Sequence, residues 1–517
     1  MTANPLSHHV FTPRVGIARL PSCSYPPLQQ TEKEQADNPV SQALRRLADA
    51  MGWSDSNSNS SSNDRGPFGK VIPPGARVLI KPNLVLHQNE GSGGLDCLVT
   101  HPTLIRAVVE AALRTDAAEV LVGDAPIQGC NFDALVESSG LGSWAQAQMA
   151  RDSRFKGVRD FRRTIGVLVH GVRVAAENLQ SEDRFALFDL GGESLLEPIS
   201  AAGNRFRVAW YDPRLMARTH HPGVHQYLVA REVVEADIII NLPKLKTHKK
   251  AGVTCALKNL IGINGNKEYL PHHRLGGSKR GGDCYPGNGA LKRALEYLSD
   301  RQNLTSSYGE GMLWRLLFAV VARASRARGD RTGIDGSWSG NDTIWRTCLD
   351  LNRILLYGRC DGTRSDETIV NGIMSAGIMT DEVQRRVIHV ADAVVAGQGN
   401  GPLAPQPLNL GLLLGSNNAA AMDRVGAHLL AYDPEKVALV RHAFDQFRWP
   451  IADFPSSAVS VTGDLGEGSA LRVLETIRQP VIHPAGWRDA SADLPSGKSE
   501  SSGQEAAPVL SMDQWDA

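Results

Sequence analysis

The chain repeatedly sets a short aliphatic run against a stretch with helical spacing, and this alternation limits the folds open to it. Ala76–Leu84 (ARVLIKPNL) is a β-branched run ended by a Lys-Pro turn. His101–Thr115 (HPTLIRAVVEAALRT) follows, with Leu104, Val108 and Ala112 at helical spacing, Thr100 as the expected N-cap and Pro102 in the first turn. Ala118–Pro126 (AEVLVGDAP) reads as a second buried strand, and NFDALVESSGL as a second helix. Crossovers of that length join parallel strands. The pattern resumes with EADIIINLP as a strand, GVTCALKNLIG as a helix, VIHVADAVVAG and LNLGLLLGSN as strands, and NAAAMDRVGAHLLAY as a helix. The expected fold class is α/β: mainly parallel sheet or sheets with flanking helices, in two α/β lobes plus a mixed or antiparallel insertion.

At 517 residues the chain exceeds one ordinary core. The expected parts are an N-terminal tail (1–14), an N-terminal α/β part (15–150) with a disordered loop at 54–66, and a mixed β insertion (151–213) in which GVLVHGVRVAA looks antiparallel. A Lys/His-rich α/β segment (214–300), a helical segment (301–360), a C-terminal α/β part (361–485) and a disordered tail (486–517) follow. Fifty-five basic residues balance fifty-five acidic ones, which removes any global pull toward nucleic acid or anionic lipid. Aromatics are 6% and do not interleave with the basic residues, so no nucleic-acid partner is expected. Seven scattered cysteines, none at metal-finger spacing, and a start without a secretory signal point to a reduced, cytoplasmic chain. The most apolar helix candidate, Gly311–Arg328, is broken by Arg315 and ends in arginines, so membrane insertion is not expected. A buried or partner-facing helix is favoured there over a membrane-surface one.

In parallel α/β sheets ligands sit outside the carboxyl ends of strands. Three strand ends carry polar groups that folding alone does not require: Lys81 and Asn83; Gly123, Asp124 and Pro126; and Asn241, Lys244, Lys246 and His248. From Lys244 to Arg280 seven lysines and two arginines face one acid, Glu268. Crowded ammoniums repel unless an anion separates them, so the block predicts a phosphate or carboxylate guest rather than a solvated basic face. The GVTCALKNLIG helix, beginning beside it, is expected to aim its N-terminal amides at the same guest. Lys81, Lys244, Lys246, Lys258, Lys267, His272 and His273 are the expected anion ligands, with Asn83, Asn241 and Asn259 orienting the guest. His248 is the expected proton-transfer group, Asp124 its partner or a second acid–base residue, and Lys246 a lysine whose crowding makes a nucleophilic amine conceivable. The Gly/Pro stretch AGQGNGPLAPQP is expected as a loop whose Gly399 and Gly401 close over the guest. Metal is the lesser reading of His220, His221, His225, His272 and His273, because adjacent histidines diverge and lysines oppose a dication. Asp392 and Asp423, in apolar company, divide evenly between site acids and buried structural partners, while Asp350 and Asn352 read as packing. No residue pattern names a cofactor.

The pieces VLIKPNLV, THPTLIRAVVEAAL, VLVGDAP, ADIIINLPKLKTHKKAGVTCALKNLIGINGNKEYLPHH, VADAVVAGQGNGPLAPQP and NNAAAMDRVGAHLLAYDPEKV together resemble the domain of unknown function 362 family, in the family's order from about Val15 to Phe447. The resemblance implies an α/β fold without a settled activity. Some relatives carry an appended ferredoxin segment with closely spaced cysteines; this chain departs from them. The longer form with KEYLPHHRLGG and GGDCYPG looks like members encoded near surface-polysaccharide genes, which implies a sugar-linked substrate. A fainter similarity to lactate racemase-type proteins would cast Lys246 and His248 as holders of a nickel-bearing nucleotide, with no motif carried over. Three readings follow: an enzyme acting on an anionic small molecule, an iron–sulfur-linked oxidoreductase or accessory subunit whose cluster sits on a redox or biosynthetic partner protein, and a non-enzymatic metabolite-binding module.

Overall fold

The computed structural model describes residues 11–28, 38–55, 65–169, 172–201, 205–209, 211–330, 333–360 and 376–490. Most of the polar loop expected at 54–66 and of the tail expected from 486 lies outside them.

Among the described residues eleven strands form the central sheet. They are β1 (Arg14–Arg19), β2 (Arg77–Pro82), β3 (Glu119–Asp124), β4 (Phe155–Asp160), β5 (Ile238–Leu242), β6 (Lys244–His248), β7 (Gly252–Thr254), β8 (Arg386–Asn400), β9 (Ala404–Ser416), β10 (Ser460–Gly463) and β11 (Gly468–Ser469). The order across the sheet is β11-β10-β1-β9-β8-β5-β2-β3-β4, with β6 pairing β8 and β7. The run β8-β5-β2-β3-β4 is parallel throughout. The other half mixes parallel β1–β10 with antiparallel β1–β9 and β8–β9. The α/β architecture with a mostly parallel sheet is as the alternating pattern predicted, and both expected α/β parts contribute to this one sheet. The Thr164–Val169 and Val172–Asn178 strands form the antiparallel hairpin expected in the insertion.

Both faces of the parallel half are covered, which explains why its strands are almost continuously apolar. Val78, Ile80, Val120, Val122, Ile238, Ile240 and Ile388 point into one core. The alternate residues Leu79, Leu121, Ile239 and Val387 point into another. Each such side chain contributes roughly 1.5–3 kcal/mol on burial. Two residues further on, the second face changes character. Lys81, Asn241 and His389 follow Leu79, Ile239 and Val387, and the register sets Asn241 opposite both Lys81 and His389. An apolar row thus ends in a polar row at the carboxyl edge, and the site begins there.

Several local expectations are corrected. The helix Pro102–Leu113 is capped by His101, whose side chain accepts the Thr103 N–H at 3.2 Å; Thr100 instead donates to the Leu242 carbonyl at 2.6 Å. GVTCALKNLIG is strand β7, the four-residue helix Ala256–Asn259 and a 3₁₀ turn over Leu260–Ile263. Its β-branched start pairs with β6 before any helical turn can form. AGQGNGPLAPQP is no open loop but the hairpin end of β8 and β9. At the start of the segment expected as tail, Ala485–Ala490 forms a 3₁₀ turn that buries Trp487.

Candidate functional site

The polar row continues into one buried hydrogen-bond network. Lys81 Nζ lies 2.7 Å from Asp124 Oδ1, at the end of the neighbouring strand, and also donates to Asn259 Oδ1 at 3.1 Å and to the Pro82 carbonyl at 2.9 Å. Asp124 Oδ2 accepts the Leu84 N–H at 2.7 Å. Asn259 Oδ1 also takes Asn83 Nδ2 at 2.9 Å, and Asn259 Nδ2 donates to Asn241 Oδ1 at 2.7 Å. Asn241 Nδ2 in turn donates to His389 Nδ1 at 3.0 Å. Asn83 Oδ1 closes the chain by accepting from Lys246 Nζ at 3.1 Å. Lys81, Asn83, Asp124, Asn241, Lys246 and Asn259 are therefore brought together. Gly262 makes the approach feasible: a Cβ there would stand 2.0 Å from Asp124 Oδ1 and 2.6 Å from Lys81 Nζ.

The lysines divide into two kinds. Lys81 is matched by Asp124; burial pushes the ammonium down and the carboxyl up, and the contact between them opposes both shifts. Lys244 is matched by Asp392 at 2.8 Å. It also donates to Tyr25 Oη at 2.8 Å, and that hydroxyl donates to Asp392 at 2.6 Å. The backbone N–H of His101 reaches the other Asp392 oxygen at 2.9 Å, and the His101 ring stacks on Tyr25 at 3.8 Å. Asp392 is thus a buried structural partner. Buried ions so matched hold the fold, since the attraction offsets a desolvation cost of several kcal/mol per ion.

Lys246 differs. Its Nζ is fully buried and reaches only neutral oxygens, Asn83 Oδ1 and the Leu98 carbonyl at 2.5 Å. Burial, with the Lys244 ammonium nearby, pulls its pKa down to about 7. A neutral amine has two hydrogens, which those two oxygens use, and one lone pair, which they leave free. Lys258, partly exposed, forms no ion pair with a carboxylate among the described residues. Burial, with Lys250 and Lys81 adding to it, lowers its pKa. Asn83, Lys250 and His272 are partly exposed as well, so solvent reaches this side of the cluster.

His248 accepts two backbone N–H groups at Nδ1, from Lys250 at 3.0 Å and Ala251 at 3.1 Å. Burial first, and the ammoniums of Lys258, Lys250 and Lys246 after it, hold the ring neutral. Its remaining Nε2–H can donate a hydrogen bond but cannot take up a proton. Nor is Asp124 its partner, being committed to Lys81. His272 holds the opposite tautomer, its Nδ1 donating to the Leu270 carbonyl at 2.7 Å, which leaves Nε2 as an acceptor. It feels Lys250 and Lys258, whereas His273 sits on a short strand beside Arg207 and is drawn down to about 3 by burial. Lys267 turns away to the Ala209 carbonyl at 3.0 Å.

Two expected anion contacts are already taken within the protein. The amide at the start of the Ala256–Asn259 helix donates from Leu257 to Asp423 at 3.2 Å, and burial pushes that carboxyl up to about 7. The Gly399 amide donates to Ile482 at 2.7 Å and the Gly401 amide to Gly399 at 2.9 Å. Asp350 is structural as expected, holding Tyr227 at 2.9 Å and Arg353 at 2.8 Å. Tyr25, His101, His389 and the Leu98 carbonyl are parts of the site that sequence reasoning missed. Only His101, directly before a Pro-started helix, left a local signal. No disulfide joins the seven cysteines, and among the described residues no group of three His, Cys, Asp or Glu side chains is placed to hold a metal ion.

A mostly parallel α/β sheet with a lysine–asparagine network at its carboxyl edge is the class of protein defined here. The model of the domain of unknown function 362 matches residues 78–183 and 199–428, and the chain belongs to that family. It is similar to the thylakoid-associated protein sll1697 of Synechocystis, 24% identical over 197 residues that make up 38% of this chain and 42% of that protein. The match thus spans less than half of that relative. A crystal structure of a Thermotoga maritima protein aligns with 72% of this chain and 53% of its own at 11% identity, with a TM-score of 0.25, too low for a shared fold to follow. No helix among the described residues is long and apolar enough to cross a membrane.

Proposed function

We propose that the protein is a cytoplasmic enzyme that binds a phosphorylated or carboxylated small molecule, sugar-linked on the family resemblance, at the carboxyl edge of the parallel strands. One observation carries the reading: Lys246 is wholly buried, is matched by no carboxylate among the described residues, and has a pKa drawn down to about 7. Retaining an unmatched cation costs stability, and an anionic guest removes that cost. Lys258 supplies the second positive charge from the partly exposed side, and Asn83 spans both, touching Lys246 directly and Asn259 beside Lys258. In the chemical step the Lys246 ammonium, charged once the anion is bound, stays on the guest's negative charge, His248 Nε2–H donates to developing negative charge, and His272 Nε2 accepts a proton.

Native mass spectrometry of freshly purified protein, with metal analysis of the same sample, identifies the guest. Calorimetry with that compound, or with a panel of sugar phosphates and carboxylates, then compares the natural chain with Lys246→Met. A loss of affinity of about a hundredfold is expected, from about 3 kcal/mol for a charge-assisted contact. Equal affinities, or the absence of binding by any anion, overturn the assignment.

A further inference from the structure

The helix Tyr308–Ala327 is the largest feature that the site does not use. It is twenty residues long and packs along Ala290–Leu304, yet only Gly311 and Ser325 in it are buried. Of the two expected settings, buried or partner-facing, this removes the buried one. Leu313 is 53% exposed, Leu316 61%, Leu317 40% and Val320 56%, with Met312 beside them. Their spacing of three and four residues places them on one stripe of the helix. Tyr297 of the neighbouring helix, also exposed, meets Trp314 edge to face at 6.5 Å, so the stripe is flanked by two aromatic rings with polar tips.

Charge decides what covers the stripe. Arg323, Arg326 and Arg328 are exposed at its end and form no ion pair with a carboxylate among the described residues. The one acid of the helix, Glu310, is occupied by Thr305 at 2.9 Å and Trp314 at 3.0 Å, with Arg301 3.9 Å away. A second copy would bring the same arginine surplus to the contact. A layer of anionic headgroups answers all of it while taking up the leucines.

We propose that this helix seats the protein on an anionic lipid surface, lying in the headgroup plane with Leu313, Leu316, Leu317 and Val320 in the acyl boundary and the three arginines on the phosphates. The inference is independent of the lysine site. Flotation of the full chain is measured with phosphatidylcholine vesicles and with vesicles containing about one-third phosphatidylglycerol, at low and high salt. The natural chain is expected to float with the anionic vesicles and to be released by salt. Leu313→Glu/Leu316→Glu is expected to lower partitioning at least about tenfold, and Arg323→Gln/Arg326→Gln/Arg328→Gln to abolish the preference for anionic lipid. Both substitution sets lie on exposed positions, and circular dichroism checks their folding. Failure of the natural chain to float overturns the proposal, as does equal flotation of the leucine variant. A homodimer that the leucine variant dissociates, without any change in flotation, makes the stripe a subunit interface instead and also overturns it.

Discussion

Lys244 and Lys246 are two residues apart on one strand, both are completely buried, and the protein treats them in opposite ways. The first is enclosed by Asp392 and the Tyr25 hydroxyl; the second meets two neutral oxygens and lies on the side where Asn83, Lys258 and His272 reach solvent. The same contrast separates Lys81, matched by Asp124, from Lys258. A basic block is thus two devices interleaved. One half is bolted into the sheet by its own carboxylates; the other, Lys246 and Lys258, meets no carboxylate among the described residues.

The largest effect that can break this comparison is on stability. Asp392→Asn leaves a buried ammonium unmatched and is expected to cost about 3–5 kcal/mol in chemical denaturation. Lys246→Met removes a desolvated amine without stranding a partner ion and is expected to be within about 1 kcal/mol of neutral, or stabilising. Equal losses in the two variants would erase the distinction. Next comes Gly262→Ala, whose added methyl must displace the Asp124–Lys81 contact; a loss of about 1–3 kcal/mol is expected from the same unfolding curves.

The smallest effect, read over a single pH unit, is in pH dependence. An unfolded lysine holds its proton up to its ordinary value of 10.5, whereas folded Lys246 releases it above about 7. Between those values the unfolded state binds more protons, so this group makes stability rise with pH, by up to about 1.4 kcal/mol per unit. The natural chain is expected to show this slope above pH 7 relative to Lys246→Met. Anion binding runs the other way: it needs the charged form, so affinity is expected to fall above pH 7 with a limiting slope of tenfold per unit. A flat difference profile would place Lys246 among the ordinary surface amines.

Much of this architecture was legible because local rules and the final fold agree. Short runs such as RVLIKP, EVLVGD and IIINL carry apolar residues on both faces, which only a sheet covered on both sides can use, and the helical spacing between them requires parallel pairing. Polar residues directly behind those runs single out Lys81, Asn83, Asp124, Asn241 and Lys246, which the structure joins in one hydrogen-bond network. GVTCALKNLIG was misread because helical spacing within it competes with long-range pairing to β6, and the pairing wins. The exposure of the Tyr308–Ala327 helix was equally hidden, since its apolar composition is what a buried helix shows as well.

By itself, then, the sequence determined the α/β class, the parallel strands and the gathering of lysines and asparagines at their carboxyl ends, because those follow from side-chain periodicity and from residues adjacent in the chain. Only the tertiary structure decided which lysines are neutralised. Asp392 reaches Lys244 across 148 positions through the register of β6 on β8, and Tyr25 reaches it across 219. No local pattern encodes a partner that distant; strand register and burial select it, and among the described residues they leave Lys246 without a carboxylate.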